Sequence, residues 1–206
     1  VTVVIDNYVP PSIRGPFLAE HGLSLLIESD GKRVLFDTGQ SGAVVHNLSL
    51  LGVHPSSLDA IVLSHGHYDH VGGLMSVLQH AAKPLPVYAH SEIFQTRLSV
   101  AGKQHYVGIP FSKPQLTGLG AQWVLSDQPA EVIPGLWFSG QVPRQTDYEK
   151  GDSRLFTCQS DGCCVEDSIP DDVSLFHASA QGLRVIGGCA HAGIINTIRH
   201  GLAITG

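Results

Sequence analysis

The sequence predicts an α/β fold in which two mixed β-sheets pack face to face with helices outside. Short β-branched and apolar runs are joined by hairpin signals in both halves of the chain. Two of the apolar strands end in a histidine-bearing turn and lead into a helix. The order is hairpins, a strand–helix unit, hairpins, then a second strand–helix unit. There is neither simple strand–helix alternation nor a short-period repeat, which favours two packed mixed sheets.

Thr2 to Ile5 reads as a strand from its β-branched run, ending at Asp6-Asn7 before Pro10-Pro11 imposes a loop. Leu23 to Ser29 and Arg33 to Phe36 are strands joined through Asp30-Gly31, a strong hairpin pair. Ser41 is expected to cap a helix carrying Val44, Val45, Leu48 and Leu51, closed by Gly52. Leu58 to Leu63 reads as a buried strand; Leu74, Val77, Leu78 and Ala81 then recur at helical spacing. Leu85 to Ala89 is a further strand ending at His90. Residues 101–121 read as loops and short strands, and Val124-Leu125 and Leu136 to Phe138 as strands. The polar stretch 141–172 is expected to be a long loop over the site or a mobile insertion. Within it, Asp171-Asp172 reads as a solvated loop, with metal contact as the alternative. Val173 to Phe176 and Leu183 to Ile186 resume strand character, and Ile194 to His200 starts a helix.

Apolar residues make up 43% of the 206 and charged residues 15%, the balance of a globular chain. A net charge of −6 without a Lys/Arg cluster argues against nucleic-acid binding through a basic face. No apolar run reaches the ~18 residues of a membrane span. The four cysteines, Cys158, Cys163, Cys164 and Cys189, do not have four-Cys zinc spacing. They read as reduced thiols in a cytoplasmic protein, with a disulfide involving Cys158 as the alternative.

His65-Gly66-His67-Tyr68-Asp69-His70 places three imidazoles and a carboxylate within six residues. That density suits divalent cations, Zn²⁺ by default, with Mn²⁺ or Fe²⁺ compatible. His65 and His67, two apart, project to one side of an extended or turning segment. Asp69 and His70 follow the turn and can face a second ion. Two ions ~3.5–4 Å apart clamp attacking and leaving oxygens and acidify a bound water. Gly72-Gly73 opens the next helix and lets backbone approach closely, and free N–H groups there would favour an anionic small-molecule substrate.

The pattern His-x-His-x-Asp-His between an apolar strand and a helix resembles the metallo-β-lactamase superfamily. Asp6-Asn7, Glu20-His21-Gly22-Leu23-Ser24, Leu35-Phe36-Asp37-Thr38-Gly39, Gly140-Gln141-Val142-Pro143-Arg144 and Gly188-Cys189-Ala190-His191-Ala192-Gly193 sharpen the likeness. Together they are similar to a branch of metal-dependent hydrolases that includes the archaeal dihydropterin ribofuranosylaminobenzene-phosphate synthases. The resemblance implies one αββα domain over 1–206, with His65, His67 and His191 on one ion and Asp69 and His70 on the other. It places Asp37 behind the cluster as an orienting carboxylate.

It also implies a hydrolase in which Asp69 and His70 take part in catalysis. Phosphoester or pterin-phosphate chemistry is favoured, with thioester or lactone hydrolysis as the competing class. Members of the branch usually carry a later Gly-Gly-x-His motif. This chain reaches Gly206 without one, so the expectation is a fold lacking C-terminal units and a weakened second ion site. A metal-binding, catalytically weak or regulatory protein, possible also as a homo-oligomer, is the reading that departure favours. His21 and His90 are expected to line the site or to serve structural roles. Asn7 is a site-edge residue or a turn cap. Arg144 meets a substrate anion or a structural ion pair.

Overall fold

A computed structural model describes residues 1–159 and 161–206; Ser160, in the stretch expected to be a long loop, lies outside the described residues. In chain order the strands are β1 (Thr2–Ile5), β2 (Ser24–Ser29), β3 (Lys32–Phe36), β4 (Ala60–Val62), β5 (Leu85–Ala89), β6 (Thr96–Ser99) and β7 (His105–Tyr106). Then come β8 (Ala121–Leu125), β9 (Ala130–Ile133), β10 (Leu136–Phe138), β11 (Leu155–Cys158), β12 (Cys164–Glu166), β13 (Ser174–Ser179) and β14 (Gly182–Gly187). The helices are α1 (Ala43–Leu50), α2 (Tyr68–Val71), α3 (Leu74–Ala81), α4 (Lys113–Gly118) and α5 (Ile194–Thr205). The architecture is mixed α/β with several sheets, and the residues fall into two compact units.

The first unit comprises Val1–Leu63, Tyr68–Tyr88 and Ile109–Val124. Its sheet runs β1-β2-β3-β4-β5-β8. β2 and β3 form the expected hairpin through Asp30 and Gly31, both at positive φ. β3, β4 and β5 then pair in parallel, with α1 and α3 in the intervening crossovers. Strands buried on both faces read as continuous apolar runs, and Leu35, Phe36, Ile61, Val62 and Val87 are all fully buried. α3 buries Leu74, Val77, Leu78 and Ala81, the four residues whose spacing predicts it. α1 starts one residue later than expected. Ser41 still accepts the Ala43 N–H through Oγ, and the Glu20 carboxylate takes the N–H groups of Gln40 and Ser41.

The second unit comprises Ser64–His67, Ala89–Gly108 and Leu125–Gly206. It carries two four-stranded sheets, β14-β13-β10-β9 and β12-β11-β6-β7. Both are antiparallel throughout: β6–β7, β9–β10, β11–β12 and β13–β14 pair as chain neighbours, while β10–β13 and β6–β11 pair across longer connections. Mixed pairing is thus confined to the first unit. α5 packs on β13 and β14, and Gly201 lets the helix come close to Phe176 and Leu183.

Two expectations are corrected here. The stretch 141–172 is not one long loop: β11 and β12 form a hairpin inside it, and β11 pairs with the distant β6. Cys158 and Cys164 face each other across that hairpin and are joined in a disulfide, so the reading of reduced thiols fails for this pair. Directly opposed positions of an antiparallel pair bring Cβ atoms within bonding reach. Among the described residues, no helix is long and apolar enough to cross a membrane.

Candidate metal centre

The second unit gathers three histidines from two segments. His65 and His67 lie in the turn Ser64–His67, both buried, and His191 lies half-buried between β14 and α5. His65 Nε2 is 2.9 Å from His67 Nδ1. The ring centroids are 4.5 Å apart for His65–His67, 4.9 Å for His65–His191 and 5.2 Å for His67–His191. The rings meet edge-on, so their nitrogens converge, and one ligand atom from each lies within 4.8 Å of the others.

Nitrogens held 2.0–2.1 Å from a tetrahedral ion lie roughly 3.3 Å apart, inside that spread. Neutral imidazole is the form that ligates. The donor set therefore fits a divalent cation such as Zn²⁺. Ser64 Oγ, 2.9 Å from His65 Nδ1, helps orient that ring. Gly66 is required between the two histidines: a Cβ there would run into the carbonyl of Ile93 and the guanidinium of Arg97.

In the first unit, α2 carries Asp69 and His70. The His70 Nδ1 lies 2.7 Å from Asp37 Oδ2, and both side chains are buried. A carboxylate at that nitrogen accepts a hydrogen bond from Nδ1–H and so leaves the lone pair on Nε2. The backbone fixes the pair. The His70 carbonyl accepts the N–H of Thr38 at 2.7 Å, and Asp37 sits in left-handed backbone at φ 58°. Asp69 Oδ2 lies 3.6 Å from His70 Nε2 and 3.3 Å from Nε2 of His21, whose side chain is 63% exposed. Gly22, at φ 127°, lies so close to the Asp69 carbonyl that a Cβ has no room. Its N–H donates to Asn7 Oδ1 at 3.0 Å, which ties Asn7 to this group.

The free N–H groups expected at Gly72-Gly73 are not found. The Gly72 N–H donates to the Tyr68 carbonyl and the Gly73 N–H to that of Gly39. The close backbone approach expected of the pair is present, against the carbonyls of Gln40 and Thr38.

His90 is buried in the second unit, and its Nδ1 accepts the Glu92 N–H at 3.2 Å. The proton therefore sits on Nε2, which has no hydrogen-bond partner among the described residues. Burial holds the imidazole pKa below its usual value, outweighing the carboxylates of Glu92 and Asp127. Arg144 donates Nη2 to the Ser168 carbonyl.

Several residues of the second unit were not expected at the site. Arg97, 1% exposed, forms a bidentate pair with Asp171 (2.8 and 2.6 Å) and donates Nε to Asp167 at 2.8 Å. Asp171 and Asp172 are buried, so the solvated-loop reading is wrong for both. Burial raises the Asp171 pKa to about 6, with Arg97 and the Gly66 N–H pulling the other way. One clue lay in the sequence. An isolated Arg inside the strand-like Thr96-Arg97-Leu98-Ser99 needs a carboxylate partner if that strand is buried.

Comparison with known proteins bears on the site. A model of the metallo-β-lactamase superfamily matches residues 19–154. The chain is 34% identical over 200 residues to the 7,8-dihydropterin-6-methyl-4-(beta-D-ribofuranosyl)-aminobenzene-5'-phosphate synthase of Methanocaldococcus jannaschii, covering 93% of this chain and 68% of that one. It is 35% identical over 201 residues to an uncharacterized protein of the same organism, covering 98% and 73%. Among solved structures it is similar to Tm1679, a metal-dependent hydrolase of the beta-lactamase superfamily. The TM-score is 0.77 at 28% identity, covering all of this chain and 71% of the other.

Proposed function

Because the chain belongs to the metallo-β-lactamase superfamily, we propose that it is a metal-dependent hydrolase acting on an anionic, ester-type small molecule, with phosphoesters favoured. The observation that carries this reading is the convergence of His65, His67 and His191 within 4.8 Å. Three imidazoles in that set match a common catalytic Zn²⁺ donor set, though imidazole suits Fe²⁺ as well. A divalent ion held there supplies Lewis acidity and a water acidic enough to act as nucleophile near neutral pH.

The chain's own residues do the rest. Ser64 and Gly66 fix the presentation of His65 and His67. Asp37 holds His70 in the tautomer whose Nε2 faces Asp69. Asp69 and His70 are the proposed proton-handling pair and the donors for a second ion. His90, with its proton on Nε2, is a hydrogen-bond donor suited to a substrate oxygen.

Phosphoester chemistry is preferred over thioester or lactone hydrolysis because the relative at 34% identity is named for a phosphate-bearing product. That name describes a synthase, so the bond broken or formed on this chain is what the experiment must decide. Metal content per chain is measured on protein purified without chelators or a His tag. Turnover is then followed on bis(p-nitrophenyl) phosphate, an acyl thioester and a lactone. The expected result is at least one ion per chain and turnover of the phosphodiester alone, abolished in folded His65→Ala. Bound metal with thioester or lactone turnover reassigns the substrate class. A folded protein without metal overturns the proposal.

A further inference from the structure

The three clustered histidines sit on two segments far apart in sequence, and something must hold those segments in register. Three consecutive residues make the connection. Asp171 Oδ2 accepts the N–H of Gly66 at 2.8 Å, between His65 and His67. Asp172 Oδ2 accepts the N–H of Ala192 at 2.7 Å, the residue after His191. The Val173 N–H donates to the carbonyl of Ser64 at 2.8 Å, the residue before His65. Every histidine of the cluster is thus adjacent to a backbone group held by the segment 171–173.

The segment is itself anchored. Asp171 takes both terminal nitrogens of Arg97, whose Nε is held by Asp167, and all three side chains are buried. Arg97 also packs where a side chain at Gly66 would be, so the guanidinium walls the turn that carries His65 and His67. On the far side, β13 continues directly from Val173 and pairs with β14, the strand that leads to His191. A buried, bidentate guanidinium–carboxylate pair is geometrically restrictive, which suits an element whose task is spacing.

We propose that Asp171 and Asp172, held by Arg97, form a positioning clamp that sets the distance between the His65/His67 turn and His191, and so tunes cation affinity. The proposal deepens the metal-centre reading and rests on it. Hydrogen bonds just behind metal ligands commonly carry ten- to hundredfold in affinity.

The test uses the full chain and Co²⁺, which reports coordination through its visible absorption, in competition with a chromophoric chelator. Asp172→Asn keeps an oxygen for the Ala192 N–H and is expected to match the wild type in affinity and spectrum. Asp172→Ala is expected to bind Co²⁺ about ten- to hundredfold more weakly, with an altered visible spectrum. Asp172→Glu keeps the charge but lengthens the arm and is expected to shift the spectrum too. That keeps the test decisive should the alanine variant fail to fold. Wild-type affinity and spectrum in folded Asp172→Ala, or in Asp172→Glu when the alanine does not fold, overturn the clamp. If His191→Ala still abolishes Co²⁺ binding in that case, the metal centre stands and only the clamp falls. Failure of the wild type to bind Co²⁺ overturns both.

Discussion

Asp171 shows how one buried carboxylate couples stability to pH. Its pKa is raised to about 6 from an ordinary 3.8, with burial the main cause. Between those values the folded chain retains a proton that the unfolded chain has released. The contribution of this group is therefore greatest below about pH 4 and declines as pH rises towards 6. The full swing is on the order of 3 kcal/mol. Urea midpoints of metal-free protein should fall across that window in the wild type relative to Asp171→Asn; parallel pH profiles would refute the assignment. At this scale the candidates His65, His67, Asp69 and His70 stand out in the sequence because four potential donors crowd into six residues. Arg97 and Asp171 were not, since they lie 74 residues apart and isolated charges read as solvated.

Among the elements, those that bury a regular apolar pattern were legible: the β2–β3 hairpin, β4, β5 and α3. The elements missed are short. All three residues of β12 are exposed, so no alternation marks it. It is held by pairing with β11, and β11 by pairing with β6, which no local pattern reveals. α4 is different, because its start was written in the chain. Ser112 accepts the Gln115 N–H, Gln115 reaches back to the Ser112 N–H, and Pro114 lies in the first turn. Its six residues make it marginal without that box. Ser112→Ala should destabilise the protein by about 1 kcal/mol in chemical denaturation, and Ser112→Asp should restore most of it. Equal midpoints for all three proteins would show that α4 does not depend on its cap.

For the whole molecule, a cation bound only by the folded chain adds to its stability by mass action. Zn²⁺ at 100 times its dissociation constant should raise the unfolding free energy by about 2.7 kcal/mol. A chelator should remove the gain, and His191→Ala should not show it. A chelator-insensitive melting curve in zinc-loaded wild type would count against a folded-state cation site. The sequence carried the fold class and the two histidine-bearing segments. It did not carry the antiparallel pairing of the second unit's sheets, which depends on partners distant in the chain.

Three contacts of residues 171–173 are made to backbone beside the histidines: the amides of Gly66 and Ala192 and the carbonyl of Ser64. A backbone group is present whatever side chain its neighbour bears. Donors at positions 65, 67 and 191 can therefore be exchanged singly for carboxylate or thiolate while the two segments keep their spacing. Gly66, which has no room for a Cβ, resists replacement on steric grounds. Such a frame lets cation preference drift, or be engineered, one residue at a time without first dismantling the scaffold.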